Sequence, residues 1–148
     1  MTRPKILLLE RTTASRDAMQ KMLEIENYEV VSSGTIDEGL SQIYEQQDFD
    51  VLITNLRTQR AGDHPTLVAA IRAFQPECLL VAVSDSLNIR EARLAVRLQV
   101  DLIVRPAHIK QIAGFLYART TRLNSLSSSD TGQSLAETSG GIAKGSAA

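Results

Sequence analysis

The chain alternates short, unbroken apolar runs with longer stretches in which apolar residues recur every three or four positions. The short runs are KILLLE (5–10), YEVVSS (28–33), FDVLITN (49–55), CLLVAVS (78–84) and DLIVR (101–105). KILLLE, FDVLITN and CLLVAVS are near-continuous rather than alternating, as a strand covered on both faces of a parallel sheet must be. YEVVSS is more polar and suits a sheet edge.

The intervening stretches carry helix start and stop signals. After the first run, Ala14, Ala18, Met22 and Ile25 form a stripe at helical spacing, with Thr12 or Thr13 as N-cap. Thr35 and Glu38 have capping-box spacing ahead of Ile36, Leu40 and Ile43, which share one face. Pro65 opens a third helix in which Leu67, Ile71 and Phe74 are predicted to face inward, and Pro76 stops it. Asn88 and Glu91 again have capping-box spacing, before Ala92 and Val96. Pro106 opens a last helix bearing Ile109, Ile112, Leu116 and Leu123. Five strand–helix units in strict alternation predict an α/β, doubly wound (βα)5 domain with one parallel sheet, because each parallel crossover is right-handed and carries a helix back over the sheet. A length of 148 residues suits one such domain. Composition shifts after Asn124, and residues 125–148 are rich in Ser, Gly and Ala with few large apolar groups. The expected organisation is therefore a domain over 1–124 and a disordered tail over 125–148.

Charge and cysteine content narrow the function classes. The formal net charge is -1, and no run of Lys or Arg forms the basic stripe of a nucleic-acid binder. The lone Cys78 lies in an apolar run and reads as a small buried hydrophobe in a reducing compartment. The apolar stretch near the amino terminus is too short for a signal peptide or a membrane span, so the expectation is a cytoplasmic, soluble protein without membrane partners. The turn after the first strand, ERTTAS, has no glycine, which argues against a dinucleotide site. His64 and His108 lack a second ligand at metal spacing and read as ordinary loop or helix-start residues.

Candidate chemistry collects at the carboxyl ends of the strands, where ligands bind in open α/β sheets. Those ends deliver Glu10 and Arg11, Asn55, Ser84 and Asp85, and Arg105 followed by Pro106. This pattern resembles the receiver domain of bacterial response regulators, over the whole chain up to the tail. In that family an acidic pair ends strand one, a phospho-accepting Asp ends strand three, Ser or Thr ends strand four, and Lys-Pro ends strand five. The resemblance implies a flavodoxin-like fold with strand order 2-1-3-4-5 and a role in two-component or phosphorelay signalling. Four positions depart from the family, the mildest being Arg105 in place of the Lys. Asn55 replaces the phospho-acceptor and lacks the charge and basicity of a carboxylate. Arg11 puts a guanidinium where a metal ligand belongs, which predicts a degraded Mg²⁺ site and no cofactor. Leu102 stands where the family's switch aromatic is expected. Arg105 keeps a positive charge and is expected to pair with Glu10 or Asp85.

The function expected on this basis is a non-enzymatic, phosphorylation-independent signalling module that acts through protein contacts. The face made by helix four, strand five and helix five meets partners in the family, and here it carries Arg90, Arg93, Leu94, Arg97, Leu98 and Leu102, with a homodimer as one form such a contact can take. The alternative is a sensor of a small anion or phosphorylated metabolite that uses the Arg11, Asn55, Ser84 and Arg105 pocket.

Overall fold

The five apolar runs form the five strands of one parallel sheet in a computed structural model that describes residues 3–46, 48–57 and 63–118. The strands are β1 (Lys5–Leu9), β2 (Glu29–Ser33), β3 (Val51–Asn55), β4 (Leu79–Val83) and β5 (Leu102–Val104), and the sheet order is β2-β1-β3-β4-β5. Four helices connect them: α1 (Thr13–Ile25), α2 (Ile36–Gln46), α3 (Asp63–Phe74) and α4 (Ile89–Leu98). This is the doubly wound, flavodoxin-like order that the family resemblance implied. The chain divides into one compact unit that ends at Lys110 and a second that begins at Gln111, whose described residues, 111–118, are helical. The boundary expected at Asn124, the tail 125–148 and Leu123 lie outside the described residues.

The sheet is held by burial on both faces. β3 and β4 are buried along their whole length, as are Ile6 to Leu9 of β1. From β1 the chain steps to one neighbour, β2, and then returns past β1 to β3, so right-handed crossovers put α1 on one face and α2, α3 and α4 on the other. Leu7, Leu9, Leu52, Leu80 and Ala82 pack with Ile43 of α2, Leu67, Val68 and Ile71 of α3, and Ala95 and Leu98 of α4 in one core. The alternate strand residues, Ile6, Leu8, Ile53 and Val81, are fully buried on the opposite face. Gly39 allows α2 and α3 to approach closely, since a Cβ there would stand 3.2 Å from Leu67 Cδ1.

Helix phases correct several sequence expectations. In α1 the buried residues are Met19 and Leu23; Ala14 and Ala18 are exposed, Met22 is half-buried and Ile25 is 74% exposed. The expected stripe has alanines at two of its four positions, and burying Met19 and Leu23 in their place, with Met22 still half-buried, removes more apolar area from water. Thr12 occupies the N-cap without a side-chain bond. In α2, Ile43 is buried and Ile36 and Leu40 partly so, as the spacing predicted. The capping box is shifted: Thr35 Oγ1 accepts from the Glu38 N–H, but the Glu38 carboxylate reaches back to the Gly34 N–H at 2.8 Å. Phe74, expected inward, is half exposed at the end of α3 and meets Tyr44 edge-on. In α4 the inward stripe is Glu91, Ala95 and Leu98, whereas Val96, one of the two apolar residues that follow the cap, is 77% exposed. Pro106 opens a 3₁₀ turn (Pro106–His108) rather than the last helix, which begins at residue 111. Cys78 is only partly buried.

The rotation of α1 is testable by chemical denaturation. Leu23→Ala is expected to lower unfolding free energy by roughly 2–5 kcal/mol, as for a large-to-small change in a packed core. Ile25→Ala is expected to change it by less than about 0.5 kcal/mol; equal effects would place Ile25 in the core instead.

Candidate functional site

The step back from β2 to β3 opens a crevice between the carboxyl ends of β1 and β3, which are neighbours in register through Leu9 and Thr54. The next residues, Glu10 and Asn55, meet there, and both are buried. Asn55 Nδ2 donates to Glu10 Oε1 at 2.7 Å, while Asn55 Oδ1 accepts from the Arg57 N–H at 2.9 Å. These two bonds fix the amide orientation, because a flipped amide would set oxygen against carboxylate oxygen and N–H against N–H. The other carboxylate oxygen of Glu10 accepts from the Thr12 N–H at 2.9 Å, at the start of α1. Arg16 Nη1 donates to the Glu10 carbonyl at 2.8 Å and also reaches the Arg11 carbonyl. Arg16 thus fastens the turn after β1. Sequence reasoning missed it, and its place three residues after Thr13, on the inner side of α1, was the available signal.

Ser84, at the end of β4, is buried and turned toward α4. Its hydroxyl donates to Glu91 Oε1 and accepts from the Leu87 N–H at 2.8 Å. Leu87 has a positive φ of 45°, strained for a branched side chain, and the Ser84 bond holds it there. Glu91 completes a reciprocal cap: its N–H donates to Asn88 Oδ1 at 2.9 Å, and Asn88 Nδ2 donates to its Oε2 at 3.2 Å. A carboxylate that sequence pattern assigns to a helix cap is therefore also the partner of Ser84, and this pairing is what permits its burial.

The remaining strand-end residues do not join these two networks as expected. Asp85 is exposed and pairs with Arg57, at 3.9 Å, rather than with Arg105. Glu10 is occupied by Asn55 and Thr12, so neither acid offered to Arg105 is its partner. The Arg105 guanidinium is exposed and meets no partner among the described residues. With Ser84, Asp85, Leu87 and Ile103 it lines a cleft of about 230 Å³. Arg11 is exposed, and Pro106 is half-buried behind Arg105. Of the two histidines, His64 is buried at the start of α3 with Nδ1 3.2 Å from Thr54 Oγ1, and His108 is exposed in the 3₁₀ turn. Among the described residues no three of His, Cys, Asp and Glu gather as a metal-sized group, and no helix is long and apolar enough to cross a membrane.

The surface of α4 and β5 also differs from the sequence expectation. Arg90, Arg93 and Arg97 are exposed, as a contact face needs. Leu98 is in the core, Leu94 packs against it, and Leu102 is half-buried, so these leucines do not present an outward apolar patch. The outward apolar groups are Ile89, Val96 and Ile103, at 70%, 77% and 37% exposure. Because Glu91 is drawn inward, the exposed stripe moves to these positions.

Solved structures with the same fold are numerous. A CheY-like response regulator receiver domain protein from Methanospirillum hungatei matches at TM-score 0.68 and 18% identity, covering 84% of this chain and 98% of that one. A response regulator receiver domain protein from Clostridium thermocellum matches at 0.68 and 20% identity, covering 83% and 98%. A response regulator protein from Burkholderia pseudomallei, solved with a phosphorylated aspartic acid, a calcium ion and citrate, matches at 0.65 and 18% identity, covering 84% of this chain and 72% of that one. No family model and no curated protein sequence matches. At these identities the likeness establishes the receiver, or CheY-like, fold.

Removing the Ser84 hydroxyl leaves a buried Glu91 oxygen and the Leu87 N–H without partners. Ser84→Ala is expected to destabilise the fold by about 1–3 kcal/mol in urea denaturation. A change within about 0.5 kcal/mol would mean that water replaces the hydroxyl without loss.

Proposed function

We propose that this chain is a receiver-like signalling module of the two-component type that works independently of phosphorylation, through protein contacts and not through catalysis. The observation that carries the reading is the 2.7 Å bond from the Asn55 amide to the Glu10 carboxylate. The resemblance puts the phospho-acceptor at the end of strand three, where the nucleophile is a carboxylate, and an amide does not replace it. Asn55 presents a hydrogen-bond donor to Glu10 and spends its oxygen on a backbone N–H. Ser84, the hydroxyl at the family's fourth-strand position, is likewise engaged, with Glu91 and Leu87.

The Mg²⁺ that the fold family implies does not fit these residues. Mg²⁺ demands near-octahedral oxygen coordination, supplied in such sites by carboxylates, waters and the phosphoryl group. Glu10 is a single carboxylate with both oxygens hydrogen-bonded, and the exposed cation Arg11 follows it directly. The anion-sensor alternative is weakened by the same bonds, since Asn55 and Ser84 are already engaged; Arg105, at the mouth of its cleft, is what remains in its favour.

A contact role is supported by the outer face of α4 with β5. Ile89, Val96 and Ile103 expose apolar surface beside Arg90, Arg93 and Arg97, which suits a partner that offers apolar and acidic groups together. No nucleic acid, membrane or cofactor enters this reading, and two copies of the chain could meet through the same face.

Restoring the acceptor tests the first half of the proposal. Asn55→Asp incubated with acetyl phosphate and Mg²⁺ is expected to show no phosphoryl adduct by intact mass; efficient labelling would mean that Asn55 is the sole obstacle. The second half predicts that Val96→Asp abolishes capture of native-cell partners while leaving the thermal midpoint within a few degrees, about what a surface change allows. Retention of the same partners by Val96→Asp would move the contact to another face.

A further inference from the structure

A second cleft, of about 390 Å³, lies at the opposite end of the sheet, where the chain enters β3 and β4. Asp48, Asp50 and Glu77 line it, and no lysine or arginine does. Lys5 stands beside it, with Nζ 3.0 Å from Asp48 Oδ1 and 5.5 Å from the Phe49 ring centroid, so one cation already uses this combination of carboxylate and aromatic ring. Phe74 forms a wall, 47% exposed and braced edge-on by Tyr44 at a centroid distance of 5.2 Å. Gln75, only 8% exposed, also lines the cleft. Its Oε1 accepts from the Phe49 N–H, while its buried Nε2 has no acceptor among the described residues.

We propose that this cleft binds an arginine-bearing segment of a partner protein. Carboxylates repel an anion and draw a cation, and the described residues hold no group of three ligands that would retain a metal ion. A guanidinium can lie on the Phe74 ring while its fork meets the carboxylates. The unmet Gln75 donor requires an acceptor, which a main-chain carbonyl of the same segment supplies. The site stands at the end of the sheet away from Asn55 and does not depend on the function proposed above.

The test is NMR titration of the ¹⁵N-labelled full chain with the peptide Ac-Gly-Arg-Gly-NH2 at low salt, with Ac-Gly-Glu-Gly-NH2 as control. The expected result is a saturable shift of the Gln75 side-chain amide and of the Phe49 and Phe74 backbone amides. Phe74→Leu and Glu77→Gln, both surface changes, are each expected to weaken binding by about three- to tenfold, and the acidic peptide to have no effect. A Gln75 side-chain signal that does not move, an equal response to the acidic peptide, or unchanged affinity in both variants would overturn the proposal.

Discussion

Covering a parallel sheet on both faces is the constraint from which the rest of the molecule follows. With β3 and β4 buried throughout, their backbone polar groups must be paired in the ladder and their side chains must be apolar. The interior exception, Thr54, proves dependent on a partner, the equally buried His64. Polar function is thereby confined to the ends of the strands. The reversal of direction between β1 and β3 then opens a gap at one end, and Glu10 and Asn55 meet in it because each follows a fully buried run.

What fills that gap is internal bonding. The Glu10 carboxylate receives one N–H from Asn55 and one from Thr12, and Arg16 pins its carbonyl. A buried carboxylate with both oxygens bonded is stable where an unpaired one would be costly. Ser84 follows the same logic on the other side of β3, since its hydroxyl ties the loop after β4 to the first turn of α4. The strand ends and α4 are thus linked by short, buried bonds that leave little freedom for Ser84 to turn toward Asn55. These bonds fix the first turn of α4 against the end of β4, and with it the orientation of the outer face of α4.

The strands were legible because a run buried on both faces has few ways to be written, and the strand-end polar set was legible because it falls where those runs stop. The phase of α2 was legible because its aliphatic residues, Ile36, Leu40 and Ile43, fall on one face. In α1 the spacing admitted two stripes, and only packing against the sheet favours Met19 and Leu23 over Ala14 and Ala18. In α4 the deciding group is Glu91, whose burial depends on a partner 7 residues away in sequence that the periodicity does not register. The ion pairing of Asp85 was illegible for a related reason: Arg57 and Arg105 both lie within a loop's reach of it, and exposed pairs are separated by small energies.

The two ends of the sheet also differ electrostatically, in a way that the fold itself imposes. In alternating βα units every helix starts near the carboxyl ends of the strands and finishes near their amino ends, so its positive dipole end lies at the first and its negative end at the second. Glu10 takes advantage of the former, accepting the Thr12 N–H at the start of α1. The cleft of Asp48, Asp50 and Glu77 lies at the latter, beside Phe74 at the end of α3. Carbonyls at such an end contribute roughly half a negative charge, which adds to the three carboxylates rather than opposing them. An acid at the carboxyl end of the sheet is thus stabilised by the helices around it, whereas acids at the amino end gain nothing from the helix ends and rely on donors such as Lys5, whose Nζ meets Asp48 and whose N–H meets Asp50.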